Sequence, residues 1–314
     1  MKRLQNKIAE SGLLLPVAAL IGLLSAAASL LGAMPSYEGL ASLACFALTA
    51  YMMVEMSNAN ALIRVRSRMV TSTFIVLSAA GGLVVGPVPP VATQLSFVAA
   101  CLILFSTYQD KRSMGRTFYA FFFIGLASCT SAQTFLLVPV VWLLMATQLQ
   151  SFSWRNWMAS LLGLLTPYWL MLPWLILERD FTLWTNHVQR LITFHQPFDY
   201  TAVSPPQAAL FLFTLTLSIV GMVHFWHRSY EDKIRIRLLS GFFTAMTLVC
   251  AVFLIVQPQH YATLMRLLLV FASPLIAHFF TLTSSRLTNA FFVAMLIVSL
   301  ALGVLTQLWP LIAR

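Results

Sequence analysis

Charge is scarce in this sequence, and acid is scarcest: 314 residues include nineteen Lys and Arg but only nine Asp and Glu. Charged residues make up 9% of the chain and hydrophobic ones 60%, whereas about a quarter of an ordinary soluble domain is charged. A soluble fold of this length could bury a large core, but so few charges cannot supply its polar surface. Cysteine is also sparse. Cys45, Cys101, Cys129 and Cys250 lie in or beside apolar runs and form no CxxC or cluster with His, so they read as small membrane-buried side chains. Walker loops, HExxH, GxSxG and Rossmann fingerprints are missing from any usable context. No long polar linker or low-complexity tract divides the chain, so residues 1–314 read as one membrane domain.

What is abundant is apolar sequence in long runs, with a mean hydropathy of +0.85. A hydrocarbon core of roughly 30 Å takes roughly 20 residues of helix per crossing. The runs fall at about 12–33, 41–55, 69–86, 91–108, 117–129, 132–148, 156–176, 207–226, 238–256, 262–281 and 289–308. They are continuous rather than alternating, which argues against barrel strands. The expectation is an all-α, polytopic transmembrane bundle of about eleven spans, nine to eleven of them full crossings. Lys2, Arg3 and Lys7 precede a run longer than a signal-peptide core of roughly 7–15 residues, which favours an uncleaved first helix.

The net charge of +10 does not read as nucleic-acid binding, because the cations sit in short clusters between apolar runs. With the N-terminus cytoplasmic, that side takes Lys2, Arg3, Lys7, Arg64, Arg66, Arg68, Lys111, Arg112, Arg116, Arg155, Arg228, Lys233, Arg235, Arg237 and Arg286. The other side takes Arg179, Arg190 and Arg314, and Arg266 falls within a span. Basic residues concentrate on the cytoplasmic side of membrane proteins, so this bias sets the orientation. Arg64, Arg66 and Arg68 either attract anionic lipid or only fix topology.

The pattern breaks twice. The run 117–129 is short for a crossing, and a Thr130-Ser131 turn leads directly into 132–148; such pairs need cover from other helices or a water-filled cavity. Segment 177–206 is the longest external stretch. It reads either as an interfacial amphipathic helix or as a binding loop using His187 and Arg190. Glu38 in the first external loop is either a solvated residue or a general base or metal ligand. Arg266, one turn into a span, either snorkels to the interface or serves a function. His224 and His278 read as interface or packing residues, and 85–90, with three prolines, as a rigid external turn.

The stretches "FFFIGLASCTSAQTFLLVPVVWLL", "SWRNWMASLLGLLTPYWLMLPWLI", "RDFTLWTNHVQRLITFHQPFDY" and "QHYATLMRLLLVFASPL" follow one another in a familiar layout. It resembles the core of the GT-C superfamily, membrane glycosyltransferases that use polyprenyl-phosphate sugars. The whole chain also resembles uncharacterised polytopic inner-membrane proteins of bacteria. The GT-C resemblance implies that Arg266, His260 and Tyr261 approach a lipid-linked phosphate and that His187 and Arg190 approach substrate. Glu38 would activate the acceptor or bind metal, and Arg266 would stabilise the leaving phosphate. Where those enzymes carry a long acidic first external loop, this chain has only Glu38. The expected function is therefore action on a lipid-linked sugar or envelope lipid in the bacterial inner membrane, with membrane lipid as partner and no cofactor assigned. The alternatives are a non-catalytic membrane scaffold and a transporter or flippase for an amphipathic substrate.

Overall fold

The computed structural model describes residues 3–32, 37–65, 67–178, 182, 185, 187, 189 and 196–312, and no strand occurs among them. The helices are α1 (Leu4–Glu10), α2 (Leu14–Gly32), α3 (Tyr37–Asn60), α4 (Met69–Ala80), α5 (Val88–Phe105) and α6 (Met114–Thr130). A 3-10 turn, Ala132–Leu137, leads into α7 (Val138–Thr147), and α8 (Trp154–Glu178) follows. The remainder are α9 (Pro205–Arg228), α10 (Ile234–Val256), α11 (Tyr261–Leu282) and α12 (Arg286–Ile312).

Hydrogen bonds gather the connections at two ends. At the first, the Gln5 amide donates to Asn289 Oδ1 (3.1 Å) and Ser67 Oγ to the Ala9 carbonyl (2.5 Å). There too, Arg235 Nη2 donates to Asn60 Oδ1 (2.8 Å) and the Gln109 amide to the Leu149 carbonyl (2.8 Å). This basic end gathers the described cations of the 64–68, 111–116, 228–237 and 286 clusters. At the opposite end the Gly86 amide donates to Ser42 Oγ (3.0 Å), Thr93 Oγ1 to Ser131 Oγ (3.0 Å) and Gln307 Nε2 to Ser29 Oγ (2.9 Å). Segments α2 to α12 therefore run alternately between the two ends. The pair expected at 117–148 goes from Ser113 at the basic end to Ser131 at the other, then back to Gln150 beside Gln109.

Among the described residues, seven helices are long and apolar enough to cross a membrane: α2, α3, α5, α9, α10, α11 and α12. The other expected spans fall on α4, α6, the 3-10 turn with α7, and α8, which carries Pro167 and Pro173 within it. The chain has the character of a helical membrane protein, and its surface agrees. Leu20, Leu24, Leu170, Leu300 and Val304 all face outward, which is stable only against an apolar solvent.

Layering follows from composition. All twelve residues of α4 are buried, the hydroxyl residues Thr71, Ser72, Thr73 and Ser78 included. The most apolar window of α11 is 94% buried, against 17% for α2 and α12. So α4 and α11 form the centre, with α2 and α12 outside. Helix α6 lies close on α8 because Gly125 of α6 and Gly163 of α8 sit in the contact: a Cβ on Gly163 would overlap the Phe118 carbonyl oxygen. Small residues permit such approaches between apolar helices.

Two expectations are corrected. The run 69–86 ends as a helix at Ala80, because Gly81-Gly82 follows and Gly82 takes φ +61°, the left-handed conformation that terminates helices. The stretch 85–90 is not all turn: α5 begins at Val88 with Pro89 and Pro90 in its first turn. Proline suits that position, where its missing N–H has no intrahelical partner to lose.

Candidate functional site

A cavity of about 480 Å³ opens at the basic end, lined by Arg64, His224, Arg228, Glu231, Asp232, Phe279, Leu282, Thr283, Ser284, Ser285 and Thr288. Its charged wall is built by a short turn. Arg228 closes α9, where a cation suits the helix C-terminus, and a 3-10 turn at Ser229–Glu231 turns the chain back. Glu231 lies one turn after Arg228 and takes its Nη1 at 2.6 Å on one carboxylate oxygen. The other oxygen takes Arg64 Nη1 at 2.7 Å, from the loop after α3. One acid thus holds two guanidiniums side by side, and most of the five N–H donors on each are left for another acceptor.

Behind this pair, Asp232 Oδ2 lies 2.9 Å from Nε2 of His278 on α11, with both side chains buried. A carboxylate only accepts, so Nε2 carries the proton. Asp232 Oδ1 and His224 Nε2 have no protein partner among the described residues, and both residues line the cavity. The His224 ring stands 5.8 Å from that of His278 and 5.3 Å from Phe279. The wall therefore offers cationic donors, two open acceptor or donor atoms, a row of hydroxyls and an apolar side made by Phe279 and Leu282. It can grip an anion and hydrogen-bond a hydroxyl beside it. Among the described residues there is no group of three His, Cys, Asp or Glu that could hold a metal ion.

The described residues among those singled out from the sequence lie at the opposite end. Glu38 is exposed in the first turn of α3. Arg266 is 2% exposed, and its Nη1 donates to the Leu83 carbonyl. Its guanidinium packs against Gly86, at a place where a side chain would collide with it. Tyr261 is buried, and its hydroxyl donates to the Gln207 carbonyl at 3.0 Å. His260 ends the 3-10 turn Pro258–His260 that leads into α11. His187 Nε2 lies 3.3 Å from the Tyr168 hydroxyl, which also meets Ser128 Oγ at 2.7 Å. Arg190 lies outside the described residues.

Glu38 and Arg266 do share that end. Ser42, one turn beyond Glu38, receives the amide of Gly86, which covers Arg266. Of the segment expected at 177–206, the described part ends in an ordered turn. There the amide and hydroxyl of Thr201 donate to Asp199 Oδ1 and hold its carboxyl below the ordinary carboxylate range.

Sequence reasoning took His224 and His278 for interface or packing residues and passed over Asp232. A usable signal existed: acids are so rare in this chain that Glu231-Asp232, set among Arg228, Lys233, Arg235 and Arg237, is an anomaly for a loop that only fixes topology. No family model, curated protein or solved structure matches the chain. Fold and site geometry therefore define a class, a polytopic helical membrane protein, and go no further.

Proposed function

We propose that this protein binds a phosphorylated amphiphile at its membrane surface, with the anionic group held in the basic-end cavity. The observation that carries this is the joint hold of Glu231 on Arg64 and Arg228 at the cavity wall. Charge-assisted bonds from guanidinium to phosphate are among the stronger polar contacts, and the neighbouring Thr283, Ser284, Ser285 and Thr288 supply further donors. Phe279 and Leu282 suit the apolar part of such a ligand. The distribution of Lys and Arg supports eleven crossings of a bacterial inner membrane, with the basic end in the cytoplasm.

The test uses the purified full chain in mild detergent, titrated with farnesyl phosphate, farnesol and inorganic phosphate. Farnesyl phosphate should bind, and farnesol should not. The double variant Arg64→Gln, Arg228→Gln should weaken binding at least tenfold. Equal binding of farnesyl phosphate and farnesol, or an unaffected double variant, overturns the proposal.

Transfer chemistry of the GT-C kind is a second reading, favoured by the shared end of Glu38 and Arg266 through Ser42 and Gly86. It requires Glu38 for turnover of a polyprenyl-phosphate sugar, so full turnover by Glu38→Gln removes it.

A further inference from the structure

A separate cavity of about 500 Å³ lies on the flank of the bundle. Helices α2 and α3 both pack on α4, and the cleft between them has Ile75 of α4 in its floor. Apart from Tyr51, Arg68 and Thr71, every residue lining it is apolar. Arg68 marks the basic end of the cleft; it is exposed and forms no ion pair among the described residues. Val84, 1% exposed, lies at the other extreme.

Two dimensions select the occupant. Along α3 the lining runs from Leu43 to Val54, a helical rise of roughly 16 Å. That is about half of the roughly 30 Å hydrocarbon core, the depth of one leaflet. The cleft is too small to enclose a partner helix about 10 Å across over that length. A single hydrocarbon chain is narrow enough. The lone cation at the shallow end then meets whatever headgroup that chain carries.

We infer that the cleft seats one acyl chain of an anionic phospholipid from the leaflet at the basic end, with the lipid phosphate on the Arg68 guanidinium. This site is independent of the Arg64–Arg228 cavity, and neither binding reading depends on the other. It makes the outer helix α2, which is poorly covered by protein, part of a unit sealed by lipid.

Native mass spectrometry of the full chain, incubated with dioleoylphosphatidylglycerol or dioleoylphosphatidylcholine, tests this. One phosphatidylglycerol should be retained about fivefold better than phosphatidylcholine, the preference one surface cation gives an anionic headgroup. Ala47→Trp, on the exposed face of α3 within the cleft, should abolish retention. Arg68→Gln should keep one lipid and lose the preference. Leu170→Trp, on the outward face of α8, should change neither. If Ala47→Trp does not fold, Ala19→Phe on the facing wall takes its place. A wild type that retains no lipid overturns the inference, as does retention by the filled cleft or an unchanged preference in Arg68→Gln.

Discussion

The two ends of this bundle treat their arginines in opposite ways. At one, Arg266 is enclosed by protein, with its guanidinium on the Leu83 carbonyl and under Gly86. At the other, Arg64 and Arg228 share Glu231 and face a cavity. An arginine in an apolar helix attracts a functional reading because charge is costly there; here one backbone carbonyl meets part of that cost, and the buried Nε has no partner among the described residues. Arg64 and Arg228, which lie in or beside connecting loops, are the ones whose spare donors face a cavity. What separates structure from site is what the remaining N–H groups face, closed protein or an open cavity.

The contrast breaks first at Arg266. If its work is to fill space and satisfy Leu83, Arg266→Ala leaves a void in a closed layer and should cost about 2–5 kcal/mol, read as a large fall in thermal stability in detergent. Arg266→Met, which restores most of the volume without the buried charge, should recover much of that loss. It should leave binding of farnesyl phosphate unchanged. Lost binding in a well-folded Arg266→Met protein would move the site to the opposite end.

At the basic end, the largest structural effect is expected at Asp232. Replacement by Ala leaves the buried His278 Nε2 without its acceptor, and losing a hydrogen bond to a charged group costs about 1.5–3 kcal/mol. Asp232→Asn keeps an acceptor oxygen and should retain most of the stability. The cavity arginines should behave differently: single Arg64→Gln and Arg228→Gln changes should each reduce phosphate-ligand affinity several-fold while hardly moving the melting temperature. Partly exposed ion pairs contribute little to folding. A melting temperature that falls as far as in Asp232→Ala would recast the pair as structural.

The helical class and the segregation of charge were legible in the sequence because a bilayer imposes both, segment by segment. Two helix ends were misread because hydropathy was weighed over local chemistry: Gly81-Gly82 stops α4, and the prolines at 89 and 90 start α5. The candidate site was not legible. His278 meets Asp232 across 46 residues and Arg266 meets Leu83 across 183, and no periodicity encodes which distant carbonyl or carboxylate a cation reaches. Glu38 and Arg266 were placed on one side by topology, and they do share an end. That Arg266 is closed over there depends on the packing of Gly86.

The smallest expected effect sharpens the comparison at the opposite end. Tyr168 joins Ser128 on α6 to His187 through one hydroxyl. Tyr168→Phe removes that hydroxyl while leaving the ring and its packing. A neutral hydrogen bond of this kind is worth about 0.5–1.5 kcal/mol, so the melting temperature should fall slightly and binding of farnesyl phosphate should not change. If this network were instead a substrate lid, the same substitution would spare stability and alter ligand affinity. The ratio of the two effects therefore tells whether the opposite end is scaffold, as its enclosed arginine implies, or a second functional surface.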